Sequence, residues 1–382
     1  MRKNDMREFE LEKHFSKWEF AARYHMTASD AQSMTVNELL DMAGGNAKDE
    51  LLNCWLGYTE TRGAEDLREA IAGTYEVCKA DNIQCFVGIE EGIYAAMRVM
   101  LTADDHAIVI VPNYQAAETL PLAICETTGV PLLADQNWQL DLDALRDAIR
   151  PNTKLISINF PNNPTGAIPD RQTLDALIEI CREQGIWLFS DEVYRLMEVD
   201  ENKRIPQIAD IYEKGVSVNV LSKAYGLPGL RIGWAACQDK DLLASLEKYR
   251  HYLSICSSGP SERLSVVALS VKDKLLARNR QIVLDNRNKL DAFFQDYPDL
   301  FDWQHPDGGC VAYPKYLGAD GVEAFCHDLV ETEGVLLLPA SIYKSELMKT
   351  PQQHFRIGMG RKGIDEGLEV MRKFIDRRGN TL

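Results

Sequence analysis

The chain has no cysteine framework, no surplus of basic residues, no long apolar run and no internal repeat, and each absence removes a class of protein. Its nine cysteines lie at 54, 78, 85, 125, 181, 237, 256, 310 and 326, odd in number and without a C-x-x-C pair. That excludes a disulfide scaffold, and a reducing, cytoplasmic setting is expected. Forty-two basic against 58 acidic residues leave a formal charge of -16. Such a surface repels nucleic-acid phosphates and anionic membranes, which leaves a small molecule as the expected partner. The longest apolar runs, 107–112 and 334–340, are of strand length, far short of the ~20 residues that cross a bilayer. The charged opening stretch lacks the apolar core of a signal peptide, so export is not expected. Without repeats, low-complexity tracts or Gly/Ser linkers, domain limits must come from the order of elements.

What is present is an alternation. Short β-branched runs at 107–111, 154–159, 186–190, 216–221 and 232–237 read as buried strands. Between them 115–125, 140–149 and 171–183 carry helical apolar spacing. Strand and helix in turn predict an α/β fold with a mostly parallel sheet covered on both faces. Residues 40–272 are expected to form this large domain. One long helix at 275–294, then short strands near 311–314, 335–338 and 355–357 with helices near 320–331 and 363–377, predict a smaller α+β domain over 273–382. Residues 1–39, with helices expected at 10–24 and 35–42, are too few to fold alone and should pack on the small domain and the site.

Three expected strand ends carry chemistry. Lys223 leaves a strand among apolar neighbours, in Leu221-Ser222-Lys223-Ala224-Tyr225-Gly226. Lost hydration lowers an amine's pKa there and makes it a usable nucleophile or base. Arg231, eight residues on, offers a planar two-pronged donor for a phosphate. Upstream, Asn163 stands in the turn Asn159-Phe160-Pro161-Asn162-Asn163-Pro164-Thr165-Gly166, and Ser190-Asp191-Glu192-Val193-Tyr194 closes another strand. Ligands of open α/β sheets bind at the carboxyl ends of strands. One ligand accounts for all of these groups: pyridoxal 5'-phosphate (PLP). Its aldehyde suits Lys223, its ring nitrogen suits Asp191, its phenolic oxygen suits Asn163 and Tyr194, and its phosphate suits Arg231.

The joint spacing of Asn-Pro-Thr-Gly, Ser-Asp-Glu-x-Tyr and Ser-Lys with its later arginine resembles the class I/II aminotransferases, the fold type I family of PLP enzymes, over nearly the whole chain. The resemblance implies that Tyr114, in Val111-Pro112-Asn113-Tyr114, stacks on the cofactor ring. It implies that Tyr58, in Leu56-Gly57-Tyr58-Thr59, reaches the phosphate of a neighbouring subunit, and hence a homodimer with shared sites. It also implies that Arg356, in Phe355-Arg356-Ile357-Gly358, grips the substrate carboxylate beside Asn163. Two positions depart from the family. Gly88-Ile89-Glu90-Glu91-Gly92 stands where hydroxyl residues commonly meet the phosphate, so backbone donors must do more and Glu90 must point away. Val220 stands in place of a phosphate-binding Ser or Thr, with Ser222 two residues on.

The stretch from Ser222 to Trp234, Tyr252-Leu253-Ser254, and Gly308-Gly309-Cys310 resemble a branch that also contains capreomycidine synthase, which dehydrates and cyclises a hydroxylated arginine. The expected activity is transamination of an L-amino acid through a Schiff base on Lys223, with no metal. One alternative is a lyase or cyclase acting on a guanidino amino acid. Another is a PLP-binding regulator without turnover, which the acidic charge and the absence of a helix-turn-helix extension disfavour. In relatives the N-terminal segment covers the substrate site, so Glu10, Glu12, Glu19 and Asp30 are candidates to meet a guanidinium and His25 to act as an extra acid or base.

Overall fold

In the computed structural model of the chain, residues 6–379 are described. After a short β1 (Tyr24–His25), eight strands build the main sheet: β2 (Ile83–Val87), β3 (His106–Val111), β4 (Glu126–Leu133), β5 (Gln139–Leu140), β6 (Thr153–Asn159), β7 (Trp187–Asp191), β8 (Gly215–Val220) and β9 (Ile232–Cys237). Their order is β2-β9-β8-β7-β6-β3-β4-β5. The four neighbouring pairs from β8 to β4 are parallel, while β9 runs antiparallel to both of its neighbours. Strands β3, β8 and β9 are buried at every residue, as strands covered by helices on both faces are, with His106, Ser217 and Asn219 the polar side chains among them. The helix Arg171–Gln184 shows how the sequence builds that cover. Leu174, Leu177, Ile178 and Cys181 form one buried stripe, Asp170 caps the start by accepting from the Thr173 amide, and Gly185 turns left-handed at the end.

A smaller unit follows the 24-residue helix Lys272–Gln295. It contains β10 (Phe301–Asp302), β11 (Val311–Ala312), β12 (Lys315–Tyr316), β13 (Val335–Leu336), β14 (Leu338–Pro339) and β15 (Phe355–Gly358). Strand β15 lies between β11 and β14, antiparallel to both. Phe293, Phe294, Phe301, Phe325 and Phe355 fill its core.

One expectation needs correction, and strand β4 was not read from the sequence. The helix predicted over 10–24 stops at Trp18, because residues 24–25 leave it to pair in parallel with β13. Strand β4 escaped the apolar pattern, since Gly129 and Pro131 interrupt it. Proline is tolerated there because β5, its partner on the outer side, is only two residues long. Among the described residues no helix is long and apolar enough to cross a membrane.

The functional consequence is geometric. The carboxyl ends of β2, β3, β6, β7 and β8 and the amino end of β9 share one edge of the sheet, and the N-terminal segment runs across that edge from the small unit.

Candidate active site

A cavity of about 390 Å³ opens at this edge, and Lys223, Asp191, Tyr194, Asn163, Tyr114, Arg231, Ser222, Ile89, Glu90 and Arg356 all line it. Residues from sequence positions 89 to 356 thus meet in one place. Strand register explains the floor, because Asn159, Asp191 and Val218 lie side by side on β6, β7 and β8.

Burial raises the Asp191 carboxyl to about 6, against the pull of the Val193 N–H and of Lys223. The carboxylate accepts from that Val193 N–H at 3.1 Å. Burial lowers the Lys223 amine, helped by Arg356 and opposed by Asp30, Cys310 and Asp191. Its Nζ donates to Ser29 Oγ at 2.8 Å. Tyr194, 1% exposed, donates its hydroxyl to the Ser29 carbonyl at 2.9 Å. Gly309, at φ +87°, leaves room beside that ring, since a Cβ there would sit 3.3 Å from Tyr194 Cγ.

Asn163 is oriented through its backbone, whose N–H donates to Asn159 Oδ1 at 2.7 Å. Its own Oδ1 accepts from Tyr343 at 3.1 Å and from Arg356 Nη1 at 3.4 Å. Arg356 has no exposed surface. Strand β15 sets it, and it donates to the Tyr343 hydroxyl at 2.7 Å, Thr27 O at 2.8 Å and Thr27 Oγ1 at 3.2 Å. A buried guanidinium without a carboxylate partner, held by neutral acceptors, is suited to receive an anion.

Arg231 immediately precedes β9 and stands in the left-handed region, at φ +53°. Its carbonyl accepts from the Gly88 N–H at 2.9 Å, and its guanidinium lies over Gly88. Gly88 itself is at φ +75°, and a Cβ there would stand 2.4 Å from Arg231 Nη2. Directly after it begins the helix Ile89–Met100, whose N-terminus no side chain caps. Glu90, in the first turn of this helix, lines the cavity together with Tyr114, which favours its ionised form. Its accessible surface opens into the cavities it borders, and the protein around it pushes its carboxyl up to about 7, with Asp191 and Glu12 adding to burial. Tyr114 packs on Phe9, ring centres 5.3 Å apart.

The structure sorts the N-terminal candidates. Glu12 and Glu19 line the cavity, and Glu10 does not. Asp30 also lines the cavity, and it accepts two bonds from Arg361, both 3.0 Å. His25 is pushed down to about 4 by burial, Arg361 and Arg356, which leaves it neutral at pH 7 and removes it as an acid. Tyr58 lies outside its own chain's cavity and is 84% exposed, near Trp55 and Leu56 at 80% and 81%. Sequence reasoning missed Ser29, Thr27, Asn159, Tyr343 and Arg361. For Ser29 a signal existed, a short polar interruption in Met26-Thr27-Ala28-Ser29-Asp30 between apolar positions; for Tyr343 none did.

These residues fit PLP. An uncapped helix start beside a guanidinium suits a phosphate. A buried carboxylate suits a protonated ring nitrogen, and a desolvated lysine suits the aldehyde.

Comparison with known proteins agrees. The sequence profile described as "Aminotransferase class I and II" matches residues 33–371. The chain belongs to this family and is a PLP-dependent enzyme of that fold. It is similar to a PLP-dependent aminotransferase from Streptococcus suis of known crystal structure, with TM-score 0.91, 31% identity and 98% of each chain covered. It is similar also to the PLP-dependent cyclase OrfR, with TM-score 0.88, 26% identity and 99% of each chain covered. Capreomycidine synthase from Streptomyces vinaceus is 28% identical over 329 residues, 85% of this chain and 83% of that protein.

Proposed function

We propose that the chain transfers the amino group of an L-amino acid through PLP held by Lys223. The observation that carries this reading is the convergence of Lys223, Asp191 and the wholly buried Arg356 on one cavity. Bound there, PLP would supply a carbonyl that condenses with amines and a protonated ring that draws electrons from the substrate's α-carbon. Asp191 keeps the ring nitrogen's proton in place, because a buried carboxylate is stabilised by a cation directly opposite it. Asn163 and Tyr194 orient the phenolic oxygen; Arg231 and the backbone N–H groups at Ile89 and Glu90 hold the phosphate. Tyr114 covers the ring.

Arg356 orients the substrate through its α-carboxylate, with Asn163 alongside. Lys223, once its amine is released by the substrate, takes the α-proton on Nζ and returns it. The site is proposed to be completed in a homodimer by Tyr58 of the partner chain. The exposed Trp55, Leu56, Tyr58 and Tyr252 would be buried there.

A second reading has its own support. Glu12 and Glu19 add carboxylates to the cavity wall, and two of the similar proteins are named a cyclase and capreomycidine synthase. In this reading a guanidino amino acid loses a side-chain leaving group and cyclises. The PLP-loaded chain, mixed with single L-amino acids including arginine and hydroxyarginine and no oxo acid, separates the two. Pyridoxamine phosphate with one equivalent of oxo acid supports transamination. Regenerated PLP with a substrate that has lost water supports the cyclase, and neither change with any amino acid overturns both.

A further inference from the structure

The hydrogen-bond partner of Lys223 Nζ does not belong to the sheet. It is Ser29 Oγ, 2.8 Å away, in a segment that is neither helix nor strand. Five residues of this segment are tied to other elements. The Met26 carbonyl accepts from the Gly358 N–H at 2.8 Å. Thr27 accepts from Arg356 through both its carbonyl and its hydroxyl. The Ser29 carbonyl accepts from Tyr194, and Asp30 takes both bonds from Arg361. The Ala31 N–H donates to the Lys223 carbonyl at 3.1 Å. A hydroxyl on so ordered a backbone meets the amine at little further entropic cost.

We propose that Ser29 is a positioning residue for Lys223, whose hydroxyl accepts from Nζ and favours the protonated amine while the lysine is not covalently engaged. The inference rests on the reading of Lys223 as the working amine. The need for such an acceptor follows from the surroundings. Lys223 is faced by Asp191 at the end of β7, Asp30 on the N-terminal segment, Cys310 before β11 and Arg356 on β15. Burial and Arg356 oppose a charge on Nζ, whereas a base that receives the α-proton must carry one during part of each turnover. Neither Asp191 nor Asp30 is hydrogen-bonded to Nζ, so the serine oxygen supplies the direct contact, and acceptors in contact stabilise an ammonium.

The test uses the full chain with Ser29→Ala, Ser29→Thr and Lys223→Ala. In the PLP-free chains, the pH dependence of labelling by an amine-reactive reagent, read on the Lys223 peptide by mass spectrometry, reports the amine's titration. Loss of the acceptor in Ser29→Ala should lower the midpoint by about one pH unit, and Ser29→Thr should leave it in place. In the PLP-loaded chains, exchange of the α-hydrogen of the responding amino acid in heavy water should slow by roughly tenfold in kcat for Ser29→Ala, with KM unchanged, and recover in Ser29→Thr. An unmoved midpoint in a folded Ser29→Ala chain would overturn the inference while Lys223→Ala remains inactive. So would a Ser29→Thr midpoint displaced as far as that of Ser29→Ala. Full exchange by Lys223→Ala would instead overturn the reading of Lys223 and the inference with it.

Discussion

Lys223, Asp191 and Arg356 are three ionisable groups at one site, the first two partly and the third wholly buried, and their proposed tasks follow from what each meets there. Arg356 keeps neutral acceptors on its flanks, and the substrate's carboxylate is proposed as its counterion. Arg356→Lys keeps the charge but loses the planar two-pronged donor. KM for the amino acid should rise by roughly 10- to 100-fold, the value of one or two charge-assisted hydrogen bonds, with PLP binding unchanged in an absorbance titration. Glu192 makes a different point. It is 2% exposed, its Oε1 accepts from Ile208 N–H and the Ser217 hydroxyl, and its Oε2 has no partner. Burial accordingly raises it to about 7.

A carboxyl raised on folding contributes stability that is complete below its ordinary pKa of 4.5 and is lost as pH rises through about 7. Glu192→Gln carries no such proton. Urea unfolding of the PLP-free chain should therefore show the wild type losing on the order of 2 kcal/mol relative to the variant between pH 5 and pH 8. An equal difference at both pH values would exclude the linkage. The sequence marked Asp191 and Tyr194 within this motif, but that its middle carboxylate faces the core and not the cavity is a matter of strand pleat, set by how β7 lies against β8.

At the scale of elements, the turn that ends β2 and the start of β9 form one unit. Gly88 and Arg231 both have left-handed backbones, and the guanidinium occupies the space a Gly88 side chain would need. Gly88→Ala pairs about 1–2 kcal/mol of backbone strain with a clash. PLP affinity, measured by equilibrium titration, should fall about tenfold or more, while Glu90→Gln, which leaves the backbone of this turn unchanged, should retain it more closely. Of the two strands at these turns, β9 was legible as a short apolar run, Ile232–Cys237, whereas β2, with Gln84 inside it, was not among the runs read as strands. The N-terminal segment was less legible. Helical spacing continues past Trp18, yet pairing of Tyr24–His25 with β13 ends the helix, and that pairing is a long-range contact with no local signature. Its consequences were invisible too: Ser29 reaches Lys223, and Asp30 is claimed by Arg361.

At the scale of the molecule, the exposed side chains of Trp55, Leu56, Tyr58 and Tyr252 are what a second copy is proposed to cover. Mixing Lys223→Ala chains with Tyr58→Ala chains tests sharing directly. If Tyr58 acts across the interface, a mixed dimer contains one site with both lesions and one with neither. Activity should return on mixing to about a quarter of the wild-type value if exchange is complete and random, half of the chains being in mixed dimers. No recovery in a mixture shown to exchange subunits would place Tyr58 in a role within its own chain.

The sequence by itself determined the alternation that makes the sheet and the residue types at its carboxyl edge. Both are local: an apolar run declares a buried strand, and a lysine, an aspartate or an asparagine just beyond it declares chemistry at the strand's end. Only the tertiary structure decided which charges are spent on one another and which remain for a ligand. Asp30 with Arg361, the neutral His25 and the serine beside Lys223 all depend on chain segments far apart in sequence, or on the burial that their meeting creates. Distance and dielectric are properties of the folded assembly of groups, and no single stretch of sequence contains them.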